Sequence, residues 1–109
     1  NIPHFISKFC SFIPVCTIKD NTENVEILDC FKTKEAAKTF ILDRLEDEVV
    51  SRGGYVNKIL LTYGQLYGDT IDLLNQIKKR FENAPVQLVE GCPEFSTIVG
   101  PEYLGVSIL

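Results

Sequence analysis

The chain has 109 residues, 45% of them hydrophobic and 24% charged, with a net charge of −4. That length holds one core and no second, and the apolar fraction is too high for a disordered chain. Acidic residues outnumber basic ones by 15 to 11, which argues against a nucleic-acid binder, and no apolar run reaches the roughly 20 residues of a bilayer-spanning helix.

Residues 1–12 read as an apolar N-terminal arm anchored by Phe5, Phe9 and Phe12. The segment lacks the cleavage pattern of a signal peptide. The first residue is Asn and the chain closes on an apolar VSIL, so residues missing at one or both ends are expected. Residues 13–109 read as a single α+β domain.

Two apolar runs, 14–19 and 25–31, flank the polar segment DNTEN. Asp and Asn stabilise turns through their side chains, so the unit reads as a β-hairpin. A turn centred on Glu23 sets Ile18 opposite Leu28 and Cys16 opposite Cys30 on the buried face. Val15 with Phe31, Thr17 with Asp29 and Lys19 with Ile27 fall on the other, mixed face. The Cys16/Cys30 juxtaposition admits a cross-strand disulfide or redox pair, but two small buried hydrophobes is the better reading.

Thr33 has the side chain of a helix N-cap, and Glu35 suits the first turn. Ala37, Phe40, Ile41, Leu45 and Val49 recur at helical spacing. Lys34, Lys38, Glu46, Asp47 and Arg52 lie off that stripe. Asp43, Glu46, Asp47 and Glu48 read as a solvated face rather than a metal site, and Gly53 and Gly54 end the helix.

Residues 55–67 fit two periods. Tyr55, Ile59, Leu61 and Tyr63 alternate as in a strand. Val56, Ile59, Leu60, Tyr63, Leu66 and Tyr67 form a helical stripe that spans more of the segment, so a helix is expected. A further helix over 70–83 is capped by Asp69 or Thr70 and carries Ile71, Leu74, Ile77 and Phe81 inward. Lys78, Lys79 and Arg80 sit where cations suit the helix dipole. Pro85 stops the helix, 86–90 reads as a strand, GCPEF as a turn, and 96–99 and 103–109 as extended pieces that complete a small sheet. The expected fold is thus an arm, a hairpin, two or three amphipathic helices and C-terminal strands.

No catalytic signature appears. The single histidine, His4, would have to serve any Cys/His dyad, and no phosphate-binding glycine loop or metal-binding helix motif is present. Cys10, Cys16, Cys30 and Cys92 have no C-x-x-C spacing, which disfavours zinc and favours free thiols in an intracellular, reducing compartment. No catalytic, cofactor-binding or metal residue is assigned, and no cofactor is expected.

The segment DNTENVEILDCFKTKEAAKTFI resembles small hairpin-plus-helix proteins of large DNA viruses and phages. The resemblance covers about a third of the chain. It implies a virus-encoded binding or structural component. The preferred expectation is therefore a non-enzymatic protein–protein interaction or assembly role, such as a minor virion protein. Phe5, Phe9 and Phe12 in the arm and Tyr103, Leu104, Val106 and Ile108 in the tail are the contact candidates, with a protein partner or self-association as their target. The alternatives are a small cysteine-dependent enzyme or enzyme regulator, with Cys92 as its thiol, and a weak nucleic-acid binder using residues 78–80.

Overall fold

The computed structural model describes residues 4–8, 13–18, 25–91 and 102–109. The fold is α+β. In chain order the elements are β1 (His4–Lys8), β2 (Ile13–Ile18), β3 (Val25–Phe31), α1 (Lys34–Ser51), β4 (Ile59–Tyr63), α2 (Tyr67–Arg80), β5 (Val86–Glu90) and β6 (Tyr103–Ile108). The six strands form one mixed sheet in the order β3-β2-β1-β6-β4-β5. All neighbours are antiparallel except β4 and β5, which α2 joins as a crossover.

Residues 4–8 differ from the expected arm. They form β1, which pairs with β2 on one side and β6 on the other, near the middle of the sheet. Phe5 is 2% exposed and Ile6 is fully buried. The physical reason is the alternation of the strand: Phe5 packs into the main core while Ile6 faces the other side.

The hairpin forms over the expected strands but in a different register. A bulge between Val15 and Cys16 shifts the ladder, so Cys16 lies opposite Ile27, Pro14 opposite Cys30 and Ile18 opposite Val25. The expected partition of faces therefore fails. Ile13 and Val15 enter the main core, Cys16 is buried on the opposite side, and Cys30 is exposed. Both thiols are free. They are diagonal neighbours rather than direct partners, a separation too long for a relaxed disulfide.

The α1 helix starts where the sequence predicts. Thr33 is extended, and its hydroxyl accepts from the Ala36 amide at 3.2 Å. The helix ends at two glycines with φ of 69° and 84°, and the Gly54 amide donates to the Val49 carbonyl at 2.8 Å. Only glycine adopts two such angles in succession without strain.

The helix expected over 55–67 is instead a strand, β4, followed by the start of α2. Parallel pairing with β5 and antiparallel pairing with β6 satisfy its backbone on both sides. Tertiary pairing outweighs the helical spacing here, and Gly64 falls just past the strand end. Because of this, α2 begins and ends three residues before the expected span. Thr70, Leu73 and Ile77 are its buried residues, and Ile71 is only half-buried.

Both helices lie on one face of the sheet. Ala37, Ile41, Leu42 and Leu45 of α1 and Leu73 and Ile77 of α2 share a cluster with Phe5, Val15, Ile59, Leu61, Leu104, Val106 and Ile108. Lys38, expected on the solvated side of α1, is 3% exposed. It is held between the helices by Asp72 Oδ2 at 2.7 Å and Asp69 Oδ1 at 3.3 Å. Asp43 pairs with Arg80 at 3.0 Å at the other end of the helix pair.

Candidate ligand-binding face

Strand alternation gives the central strands a second face, on the side away from the helices. Register fixes which residues share it. One row crosses all six strands: Ile27, Cys16, Ile6, Gly105, Thr62 and Val89. Tyr103 and Ser107 lie on the same side of β6.

The middle of this face is as buried as the helix side. Ile6 and Tyr103 are fully buried, Ser107 is 2% exposed, and Cys16 and Thr62 are each 5% exposed. Its chemistry is different. The helix side is almost wholly aliphatic, whereas this side collects a hydroxyl, a thiol, a phenol, a serine and a glycine. Burial, and to a lesser extent the neighbouring Cys30, pushes the Cys16 thiol up, so it stays neutral at physiological pH.

Buried hydroxyls elsewhere in the fold find partners. Ser7 donates to the Pro14 carbonyl at 3.0 Å and Thr70 to the Leu66 carbonyl at 2.6 Å. Ser107 is also engaged. Among the described residues, Thr62 Oγ1 is the buried side-chain polar atom with no partner. A buried hydroxyl without a hydrogen bond costs about 1–3 kcal/mol. Beside it in the row, Gly105 contributes no side chain.

The helix side offers less. A shallow groove of about 360 Å³ runs between the helices, lined by Thr39, Leu42, Gln76, Lys79 and Arg80. Leu42 is the one aliphatic residue among its lining side chains, and the stems of the others line the rest.

The residues singled out from sequence are distributed as follows. Phe5 is buried in β1 beneath α1, with the Arg44 guanidinium 6.0 Å from its ring centre. Leu104, Val106 and Ile108 are in the main core, and Tyr103 is on the second face. Phe9, Phe12, Cys10 and Cys92 lie outside the described residues. Sequence reasoning missed Thr62, Gly105, Ser107 and Cys16 as neighbours. The available signal was the strand alternation of 59–63, which would have put Thr62 on one side and Leu61 on the other. Among the described residues, no group of three or more His, Cys, Asp or Glu is placed to hold a metal ion. No helix among the described residues is long and apolar enough to cross a membrane.

No protein-family model matches the sequence, and a search of curated proteins found no match. Solved structures do match the fold. A DegV family protein from Corynebacterium glutamicum superposes with a TM-score of 0.83 at 12% identity, over 99% of this chain and 47% of that one. A fatty acid binding DegV family protein from Streptococcus agalactiae gives 0.81 at 13% identity, over 98% of this chain and 44% of that one. A DegV family protein from Eubacterium eligens, loaded with heptadecanoic acid, gives 0.78 at 11% identity, over 98% and 45%. The chain spans less than half the length of these structures.

These matches correct the expected function. The architecture is that of part of the DegV fatty acid binding proteins, which overturns the minor-virion and protein-interaction reading along with its viral-assembly context. The physical reason is visible in the sheet: the described aromatic and aliphatic residues assigned to docking are spent inside the fold.

Proposed function

We propose that this chain is a fatty-acid-binding lobe, with the second face of its sheet as one wall of the site. The observation that carries the reading is the match of 98% of the chain to fatty acid binding DegV structures. The polar, buried character of the second face supports it. A fatty acid needs a long apolar contact and one polar anchor, and ligand sites are commonly apolar with few placed polar groups. The row from Ile27 through Cys16 and Ile6 to Thr62 has that composition.

The chain covers less than half of each matched structure, so a companion lobe, covalently linked or separate, is proposed as the opposite wall. That lobe is the protein partner in this reading. The free thiols of Cys16 and Cys30 support a reducing compartment.

The test is a methyl and amide NMR titration of the chain with a long-chain fatty acid held below its micelle concentration. Shifts are expected at Ile6, Thr62, Gly105 and Ser107. Absence of any shift, or shifts confined to the helices, would overturn the reading.

A further inference from the structure

The carboxyl ends of β4 and β5, the parallel pair among the described strands, carry a cluster that the core does not use. Tyr63 closes β4, Glu90 closes β5, and the two are register partners. Such partners stand about 4.8 Å apart on one face. Here it is the helix side, since Leu61 and Leu88 lie two residues back on each strand. The Gly91 amide donates to the Tyr63 carbonyl at 2.9 Å and the Gly64 amide to the Tyr103 carbonyl at 3.1 Å, so both strand ends are held. Residues 64–66 then turn the chain into α2, whose first residue, Tyr67, brings its ring back to Tyr63. The ring centres are 5.3 Å apart and the planes are inclined by 63°. Tyr67 is 55% exposed and Glu90 is exposed. No cation among the described residues pairs with Glu90.

We propose that Tyr63, Tyr67 and Glu90 form a recognition corner for a quaternary ammonium ion. The face of an aromatic ring attracts a cation, and two inclined rings turn two faces toward one point. The Glu90 carboxylate supplies the counter-charge beside them. Burial, then the charges of Glu90 and Tyr67, push the Tyr63 phenol up, so its ring stays neutral at physiological pH. A primary ammonium fits less well, because its N–H donors need acceptors and the corner offers one carboxylate. A quaternary ammonium has no donor to satisfy. The competing guest is an anion, since α2 opens here and its cap position, Leu66, gives the first amides no side-chain bond. Glu90 repels an anion, and Asp69 in the first turn already meets the dipole. Lys34 and Lys38 are engaged with Asp69. The location agrees with a general rule, that open α/β sheets take ligands at the carboxyl ends of their parallel strands. The corner lies on the opposite side of the sheet from the fatty-acid face and does not depend on it.

The test titrates the chain with choline, with its uncharged tert-butyl isostere, with a blocked lysine amide and with inorganic phosphate, read by NMR at the rings of Tyr63 and Tyr67. Choline is expected to shift both rings, and the other three probes to shift them little. Tyr67→Leu keeps apolar bulk but loses the ring face, and is expected to weaken choline binding about two- to fivefold, while Tyr67→Phe retains it. Glu90→Gln is expected to weaken it by a similar factor at low salt and by less at high salt. Co-sedimentation with phosphatidylcholine vesicles separates the sources: pelleting lost in Tyr67→Leu assigns a lipid head group, and choline binding without pelleting assigns a free solute. The proposal is overturned if choline leaves the rings unmoved, if the uncharged isostere binds equally, or if the lysine amide or phosphate binds better. Unchanged choline affinity in Tyr67→Leu would overturn it as well.

Discussion

The two faces of the sheet are built by the same strands and differ in every other respect. Toward the helices, Val15, Leu61, Val106 and Ile108 interlock with Ile41, Leu45, Leu73 and Ile77. Away from them, the intervening positions carry Cys16, Thr62, Gly105 and Ser107. Both are dry, yet only one is composed as a packing surface. Burial alone therefore does not mark a core. A face that is buried and polar invites a question about what it meets, and a face that is buried and aliphatic does not.

That contrast can be broken or sharpened by substitution. The largest effect is expected on the helix side. Leu61→Ala removes a fully buried side chain from a close-packed cluster and should cost about 2–5 kcal/mol, read from urea unfolding. Its neighbour in sequence, Thr62→Val, should move stability in the opposite direction, because it removes the unpartnered buried hydroxyl. If both substitutions destabilise alike, the two faces are energetically equivalent and the contrast fails.

The Lys38 bridge comes next. Its hydrogen bonds and charge hold the Asp72 carboxyl below the usual carboxylate range. A depressed folded value means stability present above the unfolded value near 3.8 and lost as pH falls through the lower, folded one. For Lys38, burial opposes the charge, but hydrogen bonds to Asp72 and Asp69 outweigh it and raise the pKa. That contribution is present below the usual lysine value near 10.5 and fades as pH rises through the raised one. Lys38→Met should thus lower the melting temperature at neutral pH by less than Leu61→Ala does. The deficit should shrink below about pH 4 and again above about pH 10.5. A deficit independent of pH would mean that Lys38 acts through packing of its stem alone.

Smaller still is the α1 cap. Thr33→Ala loses the bond to the Ala36 amide and should cost about 1 kcal/mol by the same urea measurement. Smallest is Cys30→Ser. Cys30 is exposed on the edge strand, and the change should stay within about 0.5 kcal/mol. A larger loss would show that the hairpin thiols interact more closely than the diagonal register allows.

Part of this was legible in the residues. The hairpin strands, the Thr33 cap, the Gly53–Gly54 stop and the β5 and β6 segments follow from local chemistry, and the structure keeps them. The bulge at Val15/Cys16 did not follow, because either register matches apolar residues across the ribbon. Residues 59–63 satisfied both periods, and only distant partners, β5 and β6, decided for a strand. The candidate site was hidden by the same ambiguity. Thr62 is unremarkable on a helix and becomes an orphaned hydroxyl only once β4 is known to be flanked on both sides. Lys38 was misjudged because its partners, Asp69 and Asp72, are more than thirty residues away and meet it only when the helices pack.

The pairing of β1 with β6 sets a timetable. His4 meets Ser107 in the ladder, a closure across about a hundred residues, while the hairpin and the β4-α2-β5 unit close locally. Long-range closure is the slow step in such topologies. The two outer wings should therefore assemble first and wait for the seam to zip between them. Pulse-labelled hydrogen exchange during refolding should find the amides of β1 and β6 protected after those of α1. Until that seam forms, Ile6 and Gly105 are not yet neighbours, so the face away from the helices becomes continuous only at the end of folding.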